Sequence, residues 1–303
     1  MSAHSGLRIA GMCAAILAGA GVAHIRAASD IELQYDEALT KIGFPNPLLR
    51  GRIRGTDAWF IVDTGAGVHT LAAWVVRAAG IPTEASGSTT TGSTGATSVV
   101  RAASGEVIRR TDRSDITLRQ AIVVDLPPVF EQQRIAGLLS PQLLAPAGDA
   151  AVLDMTAPRL SFRRDDAPNA PPAAGVCVNR DSPYRNRLYS TAVTVDGVAG
   201  TLLVDTGATR TIVAAPSAIA KALSPRASDG ATTQGVGGSA TSMRQVSTAS
   251  VIVGGASATL PLMIGRAAPS CGADGLLGMD ALRRCVLVLG ESSFAIDCRD
   301  GVR

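Results

Sequence analysis

Two aspartates in nearly identical surroundings are the residues of this chain whose types and spacing could do chemistry. The stretch "WFIVDTGAGVHTL" begins at Trp59 and places Asp63 between an apolar run and Thr-Gly-Ala, and "TLLVDTGATRTIV", beginning at Thr201, does the same for Asp205. Two carboxyl groups about 3 Å apart cannot both ionise, so they share one proton. Such a pair can take a proton from water and give one to a carbonyl oxygen. If the fold brings the two aspartates this close, they could catalyse hydrolysis without a metal or a covalent nucleophile.

The elements around each aspartate repeat as well, which indicates a tandem duplication. Strand-like "GRIRG" and "VTVDG" precede the two aspartates, and helix-like "AAWVVRAAG" and "APSAIAKAL" follow them. Further on, "IAGLLSPQLL" in the first copy matches "ADGLLGMDAL" in the second, and an apolar strand follows each. Each copy therefore supplies one aspartate on the same local scaffold. Aromatic residues make up only 3% of the chain, and its many Thr, Val and Gly residues favour short strands.

The two Asp-Thr-Gly-Ala motifs with their Gly-Leu-Leu elements resemble the retropepsin-like aspartic proteases, here with two copies fused in one chain as in the two-lobed pepsins. The resemblance implies an all-β fold with short helices, in which two acid-protease lobes enclose an active-site cleft. It implies that Asp63 and Asp205 are the catalytic residues of an endopeptidase that acts on peptide or protein substrates. It also implies that no cofactor and no metal are needed.

The residues after each aspartate are predicted to support the two active-site loops: Thr64, Gly65 and Ala66 in the first copy, and Thr206, Gly207 and Ala208 in the second. By resemblance, each threonine reaches across to the loop of the other copy. The glycines are expected to permit a tight turn that aims the carboxylates. In pepsin-like enzymes a Ser or Thr usually follows Asp-Thr-Gly, so the two alanines are a departure.

Glycine-rich stretches downstream of each aspartate resemble the tips of the flaps that cover the substrate in this family. They contain Gly92 and Gly95 in the first copy, and Gly235, Val236, Gly237 and Gly238 in the second. The flap of a two-lobed pepsin carries a Tyr that neither stretch has, so the sequence leaves open which one covers the substrate. A second departure is Ser140, which stands where the second copy has Gly278.

The ends of the chain and the stretch between the copies predict its organisation. Residues 1–28, with Arg8 before an uncharged run, are typical of a signal peptide. We expect an N-terminal lobe at 29–165, a Pro/Ala-rich linker at 166–178 and a C-terminal lobe at 179–303. The protein is expected to be periplasmic or secreted, with no stable membrane span after cleavage. Anchoring by an uncleaved N-terminus is the alternative.

Four cysteines follow the signal peptide, an even number that permits two disulfides in an exported protein. Cys285 faces Cys298 if Glu291-Ser292 forms a two-residue hairpin turn. The alternatives are that Cys271 bonds one of the other cysteines, or that all four, including Cys177, are free buried thiols.

Other functional classes find little support. A net charge of +3 is too weak for nucleic-acid binding. His69 is the one histidine beyond the signal peptide, which argues against a zinc site or a histidine-activated nucleophile, and we expect it on the surface or in a loop. A monomer is expected. Two alternatives stay open: an inactive binding protein that kept the fold, and a protease active only as a homodimer.

Overall fold

A computed structural model describes residues 30–91, 97–110, 115–165, 175–178, 187–235, 240–266 and 271–299. The predicted signal peptide and residues 166–174 of the predicted linker therefore lie outside the described residues. The last linker residues, Val176–Val178, form a strand that pairs with Arg187–Val195. The predicted boundaries of the lobes stay predictions.

Strands dominate both halves, and the predicted all-β class is confirmed. The strands of the first half are β1 (Ile31–Glu32), β2 (Leu48–Ile53), β3 (Thr56–Val62), β4 (His69–Ala72), β5 (Glu84–Thr91), β6 (Thr97–Arg109), β7 (Ile116–Val124), β8 (Ile135–Leu139), β9 (Asp149–Asp154) and β10 (Arg159–Arg164). Those of the second half are β11 (Val176–Val178), β12 (Arg187–Val195), β13 (Val198–Val204), β14 (Ile212–Ala214), β15 (Ser228–Gln234), β16 (Ala240–Val253), β17 (Ala256–Gly265), β18 (Gly275–Leu277), β19 (Cys285–Leu289) and β20 (Phe294–Cys298).

The helices are short. They are α1 (Glu37–Lys41), α2 (Ala73–Ala78), α3 (Pro128–Gln132), α4 (Ala218–Leu223) and α5 (Met279–Leu282), with 3₁₀ turns at Pro141–Leu143 and Ser224–Arg226. The side chain of Ser217 caps α4 by accepting the N–H of Ala220. Helices α2 and α4 coincide with the helix-like segments predicted after each aspartate. In the described part of the chain, no helix is both long and apolar enough to cross a bilayer.

The two halves share one strand order, which confirms the tandem duplication. In the first half the sheet runs β2-β3-β8-β4-β7-β6-β5, and an additional pairing of β2 with β6 curls it into a barrel-like lobe. In the second half it runs β12-β13-β18-β14-β17-β16-β15, with β11 added beside β12 and with β12 also paired to β16. Each aspartate therefore follows the equivalent strand of its own half, β3 in the first and β13 in the second.

A third sheet joins the halves in the order β1-β10-β9-β19-β20. Its central pair, β9 and β19, is antiparallel, with Leu153 opposite Leu287. Both leucines are fully buried and belong to a hydrophobic cluster that also contains Phe60 of the first lobe and Leu202 of the second. Burial of each such side chain stabilises the fold by roughly 2 kcal/mol. The lobes are thus held by a common core as well as by the chain between them.

The described residues form two disulfides. Cys285 lies opposite Cys298 on β19 and β20 and bonds to it, as the predicted hairpin requires. Cys271 bonds Cys177 at the end of the predicted linker, which settles the pairing that the sequence left open. The alternative of four free thiols is wrong.

Candidate active site

Each aspartate stands directly at the end of a buried strand. Asp63 follows β3 and Asp205 follows β13, and their main-chain N–H groups donate to Leu139 O at 2.8 Å and to Leu277 O at 3.0 Å. Those carbonyls belong to the ends of β8 and β18, the parallel neighbours of β3 and β13. The Gly-Leu-Leu elements recognised in the sequence are these neighbouring strands, and they fix where each aspartate leaves its sheet.

Both carboxyl groups are buried and held by their own loops. Asp63 is 6% exposed and Asp205 is 7% exposed. Oδ1 of Asp63 accepts the N–H groups of Gly65 at 2.8 Å and Ala66 at 3.1 Å. In the second loop, Oδ1 of Asp205 accepts the two matching N–H groups, both at 2.9 Å. The same oxygen of each carboxyl is thus anchored by main chain, which leaves Oδ2 free of these two bonds.

The two carboxyl groups meet at the interface of the lobes. Each carboxyl lies directly against the glycine of the opposite loop, and each lies close enough to the other to affect its pKa. A Cβ added at Gly65 would lie 2.5 Å from Cγ of Asp205, and one added at Gly207 would lie 2.4 Å from Cγ of Asp63. Neither glycine has the left-handed φ that only glycine adopts easily. Both glycines lie in turns, as expected, but these turns do not need the left-handed φ of glycine. Each glycine is needed instead to leave room for the opposite carboxyl.

Burial raises the pKa of both aspartates. For Asp63 the rise is large, and the negative charge of Asp205 and the hydrogen bond between the two side chains add to it, while the N–H groups of its loop oppose it. For Asp205 the rise is opposed by the same kind of N–H contacts and by the hydrogen bond to Asp63. The two carboxyl groups therefore titrate as a pair, in which loss of the first proton makes loss of the second less favourable.

Thr64 and Thr206 lock the two loops together across the lobe interface. The Thr64 hydroxyl donates to Val204 O at 2.7 Å and accepts the Thr206 N–H at 3.1 Å. The Thr206 hydroxyl donates to Val62 O at 2.7 Å and accepts the Thr64 N–H at 3.0 Å. Both threonines are fully buried, and a buried hydrogen bond contributes about 1 kcal/mol. This reciprocal pattern is the one that the resemblance implies.

The candidate flap residues fall at the tips of two hairpins. Strands β5 and β6 pair up to Thr91 and Thr97, and β15 and β16 pair up to Gln234 and Ala240. Gly235 follows β15 and is partly buried. The other candidates, Gly92, Gly95, Val236, Gly237 and Gly238, lie outside the described residues, so the flap assignment stays a prediction.

His69, expected on the surface or in a loop, is a buried strand residue, and that expectation is wrong. It begins β4, is 4% exposed, and its Nδ1 accepts the N–H of Ser140 at 3.1 Å. In the second lobe, Thr211 Oγ1 accepts the N–H of Gly278 at 3.1 Å in the same way. Burial lowers the pKa of His69 to about 4. His69 therefore supports the end of β8 beside the active-site loop as a neutral side chain.

Two buried carboxamides, missed by the sequence analysis, also contact the active-site loops. Nδ2 of Asn46 donates to carbonyls of the second loop, and Nε2 of Gln142 donates to carbonyls of the first. "FPNPLL" is typical of an exposed turn, so the pattern around Asn46 gave no sign of burial. Among the described residues, no group of three or more His, Cys, Asp or Glu side chains could hold a metal ion.

Comparisons with known proteins cover both halves. Residues 49–140 match a family described as aspartyl protease, and residues 191–284 match one described as gag-polyprotein putative aspartyl protease. The fold is similar to that of an aspartic proteinase from Irpex lacteus, at 13% identity and a TM-score of 0.48 over 90% of this chain and 97% of that one. It is similar to that of Basic 7S globulin from soybean, at 10% identity and a TM-score of 0.45 over 88% and 94% of the two chains. The comparison with curated proteins gave no match.

Proposed function

We propose that this chain, which carries two aspartyl protease domains in tandem, is an aspartic endopeptidase whose catalytic dyad is Asp63 with Asp205. The observation that carries the proposal is the approach of these two buried carboxyl groups, each of which lies against the glycine of the opposite active-site loop. Carboxyl groups that share one proton present an acid and a base to the same reacting water. A dyad built from one aspartate of each domain also gives a reason for the duplication.

In the proposed reaction the ionised member of the dyad removes a proton from water as the water oxygen bonds to the carbonyl carbon of the peptide. The protonated member gives its proton to the carbonyl oxygen, so the intermediate is a neutral gem-diol. In the second step the newly protonated carboxyl gives its proton to the nitrogen while the C–N bond breaks. The other carboxylate takes a proton from the diol, which becomes the product acid. The dyad ends with one shared proton, as it began.

The described cysteine and histidine side chains favour attack by water over attack by a serine or cysteine nucleophile. In the described part of the chain, every cysteine is engaged in a disulfide. His69 is buried, and its Nδ1 accepts a main-chain N–H, so it is a poor base for a serine or cysteine nucleophile. The two carboxyl groups remain as the groups best suited to move protons at this site.

We further propose that the active unit is one chain. The threonine bonds link the loops of the two halves within the same molecule, so a second copy is not needed to complete the dyad. We propose a periplasmic or secreted location as well, since the two disulfides suit an oxidising compartment and residues 1–28 are typical of a signal peptide.

A peptide-cleavage survey tests the activity. The purified protein is incubated with a mixture of unstructured peptides between about pH 3 and pH 7, and the new termini are identified by mass spectrometry. The double variant Asp63→Asn with Asp205→Asn, prepared in parallel, controls for contaminating proteases. Internal cleavage by the wild type alone supports the proposal. If neither protein cuts any peptide, the alternative of a binding protein that kept the fold takes its place.

A further inference from the structure

The side chain of Asn46, a residue of the first lobe, contacts the active-site loop of the second lobe. It lies just before β2 and is fully buried. Its Nδ2 donates to Thr206 O at 2.8 Å and to Gly207 O at 3.0 Å, carbonyls that are 160 and 161 residues away in sequence. One amide group thus holds two consecutive carbonyls directly after Asp205.

Gln142 makes the matching contact with the first loop. It is 2% exposed, and its Nε2 donates to Ala66 O at 3.1 Å and to Arg187 O at 3.0 Å, with Thr64 O at 3.5 Å. Arg187 begins β12 of the second lobe. The Gln142 amide therefore also joins a loop of one lobe to main chain of the other.

Both carboxamides come from the first half of the chain, and the described residues at the matching places of the second half are of other types. Leu188 lies as far before Asp205 as Asn46 lies before Asp63. Asp280 occupies the place of Gln142, and its carboxylate accepts the hydroxyl and the N–H of Thr211 instead. The pair is thus an asymmetric addition to an otherwise repeated scaffold.

The contacts explain why a carboxamide is required at these places. The oxygens that converge on each side chain are carbonyl acceptors, so they need a donor with two protons and no charge to bury. A carboxylate side chain at either place would bring acceptor oxygens against these carbonyl acceptors, which repel them. A hydrocarbon side chain would leave both carbonyls without this hydrogen-bond donor. The amide oxygens, Oδ1 of Asn46 and Oε1 of Gln142, accept no hydrogen bond from the described residues. The NH₂ groups alone therefore orient these side chains.

We propose that Asn46 and Gln142 are positioning residues of the dyad, each fixing the main chain of one active-site loop so that the two carboxyl groups keep their mutual geometry. The proposal rests on the endopeptidase function proposed above. A displacement near 1 Å at a reacting group costs about 10²-fold in rate. Loss of either clamp should therefore lower kcat and leave KM nearly unchanged, because neither side chain is needed to bind the peptide.

The decisive comparison is between Asn46→Asp and Asn46→Leu, the second of which introduces the residue that the other lobe carries at the matching place. The ionised Asp repels both carbonyls, but the protonated Asp can donate its O–H to one of them. Burial and the nearby Asp205 charge keep the pKa of this new carboxyl above its ordinary value. The ratio of kcat in Asn46→Asp to kcat in wild type should therefore rise as the pH falls. Asn46→Leu should lose at least about tenfold at every pH.

Gln142→Glu repeats the test on the first loop, and it replaces Asn46→Asp if that variant does not fold. The matched control is Gln120→Glu, which makes the same change of charge at an exposed residue. Both Gln142→Glu and Asn46→Asp should show the recovery in acid, whereas Gln120→Glu should follow the wild type throughout. A loss in Asn46→Asp and Gln142→Glu that is the same at every pH overturns the proposal. A kcat within about twofold of wild type for both Asn46→Leu and Gln142→Glu also overturns it.

Amide hydrogen exchange separates this proposal from the endopeptidase function. The Ala208 N–H, which donates to Asp205 Oδ1, should exchange at least about tenfold faster in Asn46→Leu than in wild type, as expected when a buried hydrogen bond is lost nearby. If the wild type cleaves no peptide, the endopeptidase function fails, and the exchange rate still decides whether Asn46 fixes the loop. An unchanged rate overturns the positioning role.

Discussion

Replacing Gly207 by alanine puts a methyl group where the Asp63 carboxyl now lies. The added Cβ would be 2.4 Å from Asp63 Cγ, whereas ordinary contacts begin at 3.4 Å. The carboxyl must therefore retreat by about 1 Å, which changes its position relative to the Asp205 carboxyl. A misplacement of about 1 Å costs roughly 10²-fold in rate, so we expect kcat to fall by about that factor. Gly65→Ala should have a similar effect, because its Cβ would be 2.5 Å from Asp205 Cγ.

The assay compares kcat and melting temperature for wild type, Gly207→Ala and a control, Gly55→Ala. Gly55 has a φ of +85°, and no described atom lies within 4 Å of its Cβ position. Its replacement should therefore cost about 1–2 kcal/mol of stability through backbone strain and leave kcat unchanged. The two variants separate a steric effect on the dyad from a general loss of stability.

The reasoning is refuted if Gly207→Ala keeps kcat within about threefold of wild type, since a 1 Å displacement of a reacting group should cost far more. It is equally refuted if Gly55→Ala loses as much activity as Gly207→Ala.

Three further predictions concern residues around the dyad. Thr64→Val, which keeps the shape but removes the cross-lobe hydroxyl bonds, should lower kcat by at least about tenfold; a rate near wild type would contradict the locking role. The alanines after each Asp-Thr-Gly offer no hydroxyl to the ionised dyad, so we expect optimal activity at about pH 4 to 6.5. The double variant Ala66→Ser with Ala208→Ser should shift the pH–rate profile towards acid, and an unmoved profile would count against this explanation. Burial lowers the pKa of His69 to about 4 in the folded chain, whereas the ordinary pKa of a histidine, which applies to the unfolded chain, is near 6.5. Between these two pH values the unfolded chain binds a proton at His69 and the folded chain does not. The free energy of unfolding should therefore fall by roughly 3 kcal/mol from pH 6.5 to pH 4. Urea unfolding of His69→Thr, which introduces the residue type that Thr211 provides in the second lobe, should show a much flatter dependence; an equal slope would exclude His69 as the cause.

The repeat and the two aspartates could be predicted from the sequence because their signals are local. The same three features recur in the same order in both copies: an apolar run, Asp-Thr-Gly-Ala and a Gly-Leu-Leu strand. Each of them predicts a strand or the position where a strand ends. The Cys285–Cys298 pair was accessible for the same reason, since both residues belong to one hairpin. Cys177–Cys271 was not, because 94 residues separate the two cysteines and only the packing of the second lobe brings them together.

The burial of single polar side chains could not be predicted, since it depends on partners far away in sequence. Asn46 meets its carbonyl partners across the lobe interface, and the Pro-Asn-Pro pattern alone indicates a turn. His69 lies close to Val68 and Leu71, apolar residues that could have indicated a buried strand. Thr211 at the matching place indicates that a hydrogen-bonding side chain fits there. The turns at Gly65 and Gly207 could be predicted, but the steric need for glycine could not, because the carboxyl that lies against each glycine belongs to the other loop.

The most direct test asks whether Asp63 and Asp205 work together in one molecule. Peptide cleavage is measured for wild type, Asp63→Asn, Asp205→Asn and an equal mixture of the two variants, over a wide range of dilution. An amide can neither share the proton nor act as a base, so each variant should lose nearly all activity, and mixing should restore none. The specific activity of wild type should not change on dilution, whereas a homodimer would lose activity below its dissociation constant. Near-full activity in either variant, recovery on mixing, or a loss on dilution would contradict a dyad built from the two lobes of one chain.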